Sequence, residues 1–137
     1  RVGGAAQTRA MRQVAGRLRL DMAQFRDLAA FAQFGSELDA ATQEQLDRGL
    51  RLQEILKQAQ YEPMPLSDQV MIIFAGTNGY ADDVPVLRMK EYEDQFLRYM
   101  ATQYPEVDQA IIAEGRISEE TEKILRDALD LFAKSWE

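Results

Sequence analysis

Three observations predict an all-α fold, a single antiparallel bundle of about six helices. Apolar residues recur at spacings of three and four along most of the 137 residues. The stretches so patterned are separated by Gly, Pro and Ser at positions suited to helix stops and starts. The first two stretches are joined by a short link, which predicts an antiparallel pair. Zero Cys and zero His exclude disulfides, the usual zinc sites, a Cys nucleophile and a Ser-His-Asp triad.

The first element is expected over Thr8 to Phe34, after an irregular lead-in of residues 1–7. Met11, Val14, Leu18, Met22, Phe25, Ala29 and Ala32 share one stripe of that helix, at about 100° per residue. Arg12, Arg19 and Arg26 recur every seventh residue on a flanking line. Leu20, Phe31 and Phe34 fall on a third side. The extra apolar patch suggests contact with something else, while a central helix buried on two sides fits the same pattern. Gly16 is a weak point in the helix, and Gly3-Gly4 opens no Walker-type loop because no Gly-Lys-Ser/Thr follows.

Gly35 is a stop residue, and Ser36 or Asp39 can cap the second helix, expected over Ala40 to Lys57. Its apolar side is read as Leu46, Leu50, Ile55 and Leu56, with Gly49 weakening it. Residues 58–65 break the pattern, and Pro63 and Pro65 hold their predecessors extended. Ser67 is taken as the N-cap of a short, very apolar helix over Asp68 to Thr77. Its VMIIF run is also consistent with a buried strand, but the helical neighbours favour helix. Asp82 and Asp83, before Pro85, suit the first turn of a fourth helix better than a metal site.

The fourth helix continues to about Gln103, burying Met89, Tyr92, Phe96, Leu97 and Met100. Tyr104-Pro105 marks a join to a helix that runs to Glu114 and stops at Gly115. Ser118-Glu119-Glu120 is an N-terminal signature for the last helix, with Ile124, Leu125, Ala128, Leu131 and Phe132 as its seam.

Net charge is −7 but uneven. Residues 1–34 hold six arginines against two aspartates, net +4, and the rest hold ten basic against 21 acidic groups, net −11. A basic first helix on an acidic body allows an anionic partner, but pairing with the chain's own carboxylates ranks higher. Nucleic-acid binding by the Arg12/Arg19/Arg26 line is the weakest option, because the acidic body repels a phosphate backbone. There is no visible signal peptide, and the longest apolar run, Val70 to Ala75, is far short of a membrane span. Ser36, Ser67 and Ser118 all stand at helix starts, where caps outnumber nucleophiles. From pattern alone, the chain is an acidic soluble helical domain with no evident catalytic pair.

Three words in the sequence carry more: RVGGAAQT, LAAFAQFGSELDAAT and ILKQAQYEPM. Together, from Arg1 to Met64, they resemble the start of the C-terminal region of the α subunit of F-type ATP synthases, the non-catalytic nucleotide-binding subunit. Weaker similarity runs on to the C-terminus. The homologous β subunit matches poorly, its helix pair carrying a more acidic turn. The resemblance implies one domain over 1–137, excised from a longer chain whose nucleotide-binding domain lies upstream. The start at Arg1 without an initiating Met fits that expectation.

It also implies residue roles. Arg1 matches an arginine that reaches into the catalytic site of the neighbouring β subunit, where a guanidinium fork can neutralise charge developing on transferring phosphate. That role belongs to the intact complex only, and Arg1 is expected to be frayed at this terminus. Gln58 and Gln60 match the segment covering the adenine of the α subunit's own site, and an amide both donates and accepts there. Ser36-Glu37-Leu38-Asp39 matches a helix-turn-helix tip, read here as packing and lining rather than torque. ATP or ADP with Mg²⁺ is implied for the intact subunit and no cofactor or metal ligand for this piece alone, which is not expected to be catalytic. Implied partners are the β and γ subunits, with no nucleic acid and no direct membrane insertion, at the cytoplasmic face of an energy-coupling membrane. The alternative is a free-standing helical interaction module using Leu20, Phe31 and Phe34.

Overall fold

A computed structural model describes residues 9–32, 39–61 and 64–136, with the backbone only of 59–61. All six helices expected are present: α1 Arg9–Ala32, α2 Ala40–Tyr61, α3 Leu66–Thr77, α4 Met89–Gln103, α5 Pro105–Glu114 and α6 Glu119–Ser135. A 3-10 turn, Val86–Arg88, leads into α4. No strand occurs among the described residues, so VMIIF is helical.

The bundle is built around α3, which packs against α1, α2, α4 and α5. Nine of its 12 residues are buried, as a helix apolar on all sides requires. Thr77 is buried with them and satisfies its hydroxyl on the Ile73 carbonyl at 2.9 Å. α1 lays most of its predicted stripe on this centre: Met11, Val14 and Leu18 are buried in the core with Met22 packed against it, while Phe25 is buried against Gly49 of α2. Leu20 and Phe31, from the third side, are 56% and 52% exposed. Phe34, Gly35 and Ser36 lie outside the described residues.

At the far side, α4 and α6 face each other through rings. Tyr92 meets Phe132 edge-on at 5.4 Å and Trp136 at 5.3 Å, and Phe96 lies 5.6 Å from Phe132. The Arg88 guanidinium sits 4.6 Å from the Trp136 ring centre, a cation–π contact that closes the cluster. Burial, reinforced by nearby Tyr80, pushes the Tyr92 phenol well above its usual range.

Local punctuation accounts for several boundaries. Asp39 caps α2, its Oδ1 accepting from the Thr42 amide at 2.8 Å, and hydrogen bonding from the Thr42 side chain and then its amide lowers the Asp39 pKa. Gly115 takes a left-handed φ of 66° at the end of α5, and Ser118 Oγ accepts from the Thr121 amide at 3.2 Å to cap α6.

Other boundaries differ from expectation. α2 does not stop at Lys57 but runs to Tyr61, because Gln58-Ala59-Gln60-Tyr61 contains no breaker and the prolines act only beyond it. Ser67 is not a cap. Pro65 occupies that position, and Ser67 is buried inside the first turn with its hydroxyl donating to Asp108. Asp82 and Asp83 lie in the turn before α4 rather than in its first turn. Two apolar faces also shift. In α2 the buried apolar side chains among the described residues are Leu52 and Ile55, while Leu50 and Leu56 are exposed. In α6 Leu129 is buried and Leu131 faces out.

Candidate functional site

The residues singled out by resemblance do not converge on one described pocket. Arg1 lies outside the described residues, as do Ser36, Glu37 and Leu38 of the helix-turn-helix tip. Gln58 and Gln60 stand within α2 rather than in a loop. Gln58 is partly buried, and the side chain of Gln60 lies outside the described part. Positions two apart on a helix are about 200° apart around its axis, so the pair cannot be read as one edge.

What the structure does assemble is a set of arginine clamps between the helices. Arg48 on α2 grips Asp82 with both arms, Nε to Oδ1 at 3.1 Å and a terminal nitrogen to Oδ2 at 2.7 Å. This bidentate pair is the strong form of the interaction, and Asp82 is the chief reason the Arg48 pKa is raised. Gly79, at φ 85°, lets the guanidinium in: a Cβ there would lie 2.7 Å from it. Arg51 donates to the Val84 carbonyl at 2.9 Å and to the Asp47 carbonyl at 2.8 Å. α2 is thereby fixed to the α3–α4 connection.

A second clamp centres on Arg126 of α6. It donates to Glu122 at 2.9 Å, Asn78 at 3.1 Å and Tyr80 at 3.3 Å, and lies 5.0 Å from the centre of the Phe74 ring. Beside it, the Gln13 side-chain amide pairs with the Ile117 backbone as another peptide unit would. It donates to the carbonyl at 3.2 Å and accepts from the amide at 2.8 Å. The Ala10 amide adds a bond to Gly115 at 2.8 Å. A cleft of about 320 Å³ between α1, α3 and α6 is lined by Gln13, Arg17, Phe74, Asn78 and Arg126, among others.

Chemically, these guanidiniums position helices. No group of three His, Cys, Asp or Glu able to hold a metal occurs among the described residues. The expectation that the basic helix pairs with the chain's own acids is met at Arg17, whose Nε lies 3.4 Å from Asp21. Arg12, Arg19 and Arg26 are all exposed. Sequence reasoning missed Arg48. It stands in helical register with buried Leu52 and Ile55, and a cation in line with an apolar face signals an internal partner. Arg126 and Gln13 carry no comparable signal, because the partners that make them clamps between helices, Tyr80, Asn78 and Ile117, lie 46 to 104 residues away.

The family profile described as "ATP synthase alpha/beta chain, C terminal domain" matches residues 7–132. The chain belongs to this family. Among relatives of this C-terminal domain, the ATP synthase subunit alpha of Aquifex aeolicus (strain VF5) is 50% identical over 136 residues. That covers 99% of this chain and 27% of the relative, so the chain spans little more than a quarter of that protein's length. Recognition of an alpha-type ATP synthase C-terminal domain therefore holds, and the all-α bundle is its fold. No helix among the described residues is long and apolar enough to cross a membrane.

Proposed function

We propose that this domain acts within the alpha subunit of a proton-translocating ATP synthase, without independent catalysis, helping to close nucleotide sites and to surround the central stalk. The observation that carries the reading is identity of 50% with an alpha subunit across 99% of the chain. The complex would lie at the cytoplasmic face of an energy-coupling membrane, with β and γ subunits as partners. ATP or ADP with Mg²⁺ would be held by an upstream domain of the same subunit. Arg1 would extend to the phosphates in the neighbouring β subunit. Gln58 and Gln60 would lie over the adenine of the alpha site.

The clamps support a mechanical part. A domain that lines a turning stalk must hold its shape, and Arg48–Asp82, Arg51 and Arg126 tie α2, the α3–α4 connection and α6 together. Exposed Leu20 and Phe31 favour a face that meets a neighbouring subunit, and they equally serve the second reading, a free-standing interaction module.

The test is Arg1→Lys in the assembled complex. A lysine keeps the charge but not the fork, so turnover should fall by roughly 10³-fold or more, with subunit stoichiometry unchanged on a native gel. Turnover within a few-fold of the parent would remove Arg1 from the chemistry.

A further inference from the structure

The groove between the start of α3, the end of α4 and α5 is not used by any of these contacts. It has a volume of about 380 Å³ and is lined by Ser67, Asp68, Met71, Ala101, Asp108 and Ile112, with two prolines and a glutamine. Its rim carries two exposed apolar side chains: Ile112 is 67% exposed and the adjoining Leu66 is 42% exposed. Two carboxylates stand inside this apolar frame. Asp108 accepts from the buried Ser67 hydroxyl, and Asp68 lies close enough to feel its charge.

Neither carboxylate forms an ion pair among the described residues. Their places in the first turns of α3 and α5 suit the helix dipoles. Yet at Asp68 burial and the charge of Asp108 prevail, and its carboxyl is pushed above the ordinary range. The site is thus short of positive charge. A divalent metal is a poor answer, because two carboxylates and a hydroxyl fall below the six to eight oxygens such ions collect. A single cationic side chain flanked by apolar ones supplies both missing terms.

We infer that the α3–α5 groove is a docking site for a cationic amphipathic segment of a partner protein, with a lysine or arginine entering between Asp68 and Asp108 and its apolar neighbours covering Leu66 and Ile112. Charge complementarity commits the occupant: Asp68 and Asp108 line the groove with no cationic partner among the described residues, which favours a basic segment there and repels an acidic one.

The probe is a fluorescein-labelled helical Leu/Lys peptide, with a Leu/Glu peptide of the same length as control, titrated with the chain and followed by anisotropy. The Leu/Lys peptide should bind and the Leu/Glu peptide should not. Asp68→Asn with Asp108→Asn, which keeps an acceptor for Ser67, should weaken binding about tenfold or more, and Ile112→Ser should weaken it several-fold. The exposed pair Asp127→Asn with Asp130→Asn on α6 should change it less than twofold. Circular dichroism confirms that each variant is folded. Equal loss with the α6 pair, or no loss with the groove pair, overturns the inference. Sedimentation of the chain alone that shows self-association abolished by the groove pair would also overturn it, making the occupant a second copy.

Discussion

In α2, 22 residues long, the buried apolar side chains among those described are Leu52 and Ile55, whereas α3, with 12 residues, buries six, Val70 to Ala75. The α1–α2 pair packs on α3 through Met11, Val14, Leu18, Leu52 and Ile55, and α2 is fastened in addition by polar clamps. The region from α3 to α6 is held by a continuous apolar and aromatic interior. The first arrangement keeps its outward faces open for neighbours, with Leu20, Phe31, Leu50 and Leu56 exposed. The second gives the fold its depth. Directional bonds suit a part that must be held at a set angle, and packed area suits a part that must not unfold.

The comparison would break first at Phe96, fully buried between Tyr92 and Phe132. Phe96→Ala should cost about 3–5 kcal/mol in chemical denaturation. A loss of about 0.5 kcal/mol or less, the effect usual at an exposed position, would mean that the aromatic interior is not the main support.

The next effect lies where α1 and α2 touch. A Cβ on Gly49 would fall 2.3 Å from the Phe25 ring and 2.6 Å from its own Cβ, which cannot move without its helix. Gly49→Ala should therefore destabilise by about 1–3 kcal/mol, although Ala is the better helix former. Gly16 faces open space, and Gly16→Ala should instead stabilise by about 1 kcal/mol. A thermal midpoint that rises with Gly49→Ala, as it does with Gly16→Ala, would show that α1 and α2 are not in close contact.

A smaller effect concerns Asp68. Its folded carboxyl holds a proton to higher pH than the unfolded chain does. Rising pH therefore removes stability between the unfolded value, about 4, and the raised folded one. Asp68→Asn should raise the thermal midpoint near neutral pH and lose that advantage in acid. An advantage equal at both pH values would assign the gain to something other than charge.

How much of this was legible from sequence follows the range of the interactions. Asp39, Gly115 and Ser118 act on residues three or four away, and their boundaries were readable. Ser67 was misread because the same residue type serves as a cap or as a partner, and its partner Asp108 is 41 residues distant. Leu50 and Leu131 were misread as inward because an apolar residue near the edge of a stripe can fall either way. Among site residues, the resemblance supplied Gln58 and Gln60, but pattern breaking at Gln58 was mistaken for loss of helix. Arg48 was within reach from its register with Leu52 and Ile55. Arg126 was not.

The Gln13–Ile117 pairing joins positions 104 residues apart, and that separation has a kinetic meaning. Bringing such distant groups together as an isolated loop carries a large entropy cost, so the contact is expected to form late, once the intervening helices have shortened the path. A late contact contributes little to the folding barrier and much to the unfolding one. Gln13→Ala should leave the refolding arm of a stopped-flow chevron nearly unmoved and raise the unfolding arm. The side-chain amide would then act as a latch on lifetime, setting how long the bundle stays closed rather than how quickly it forms.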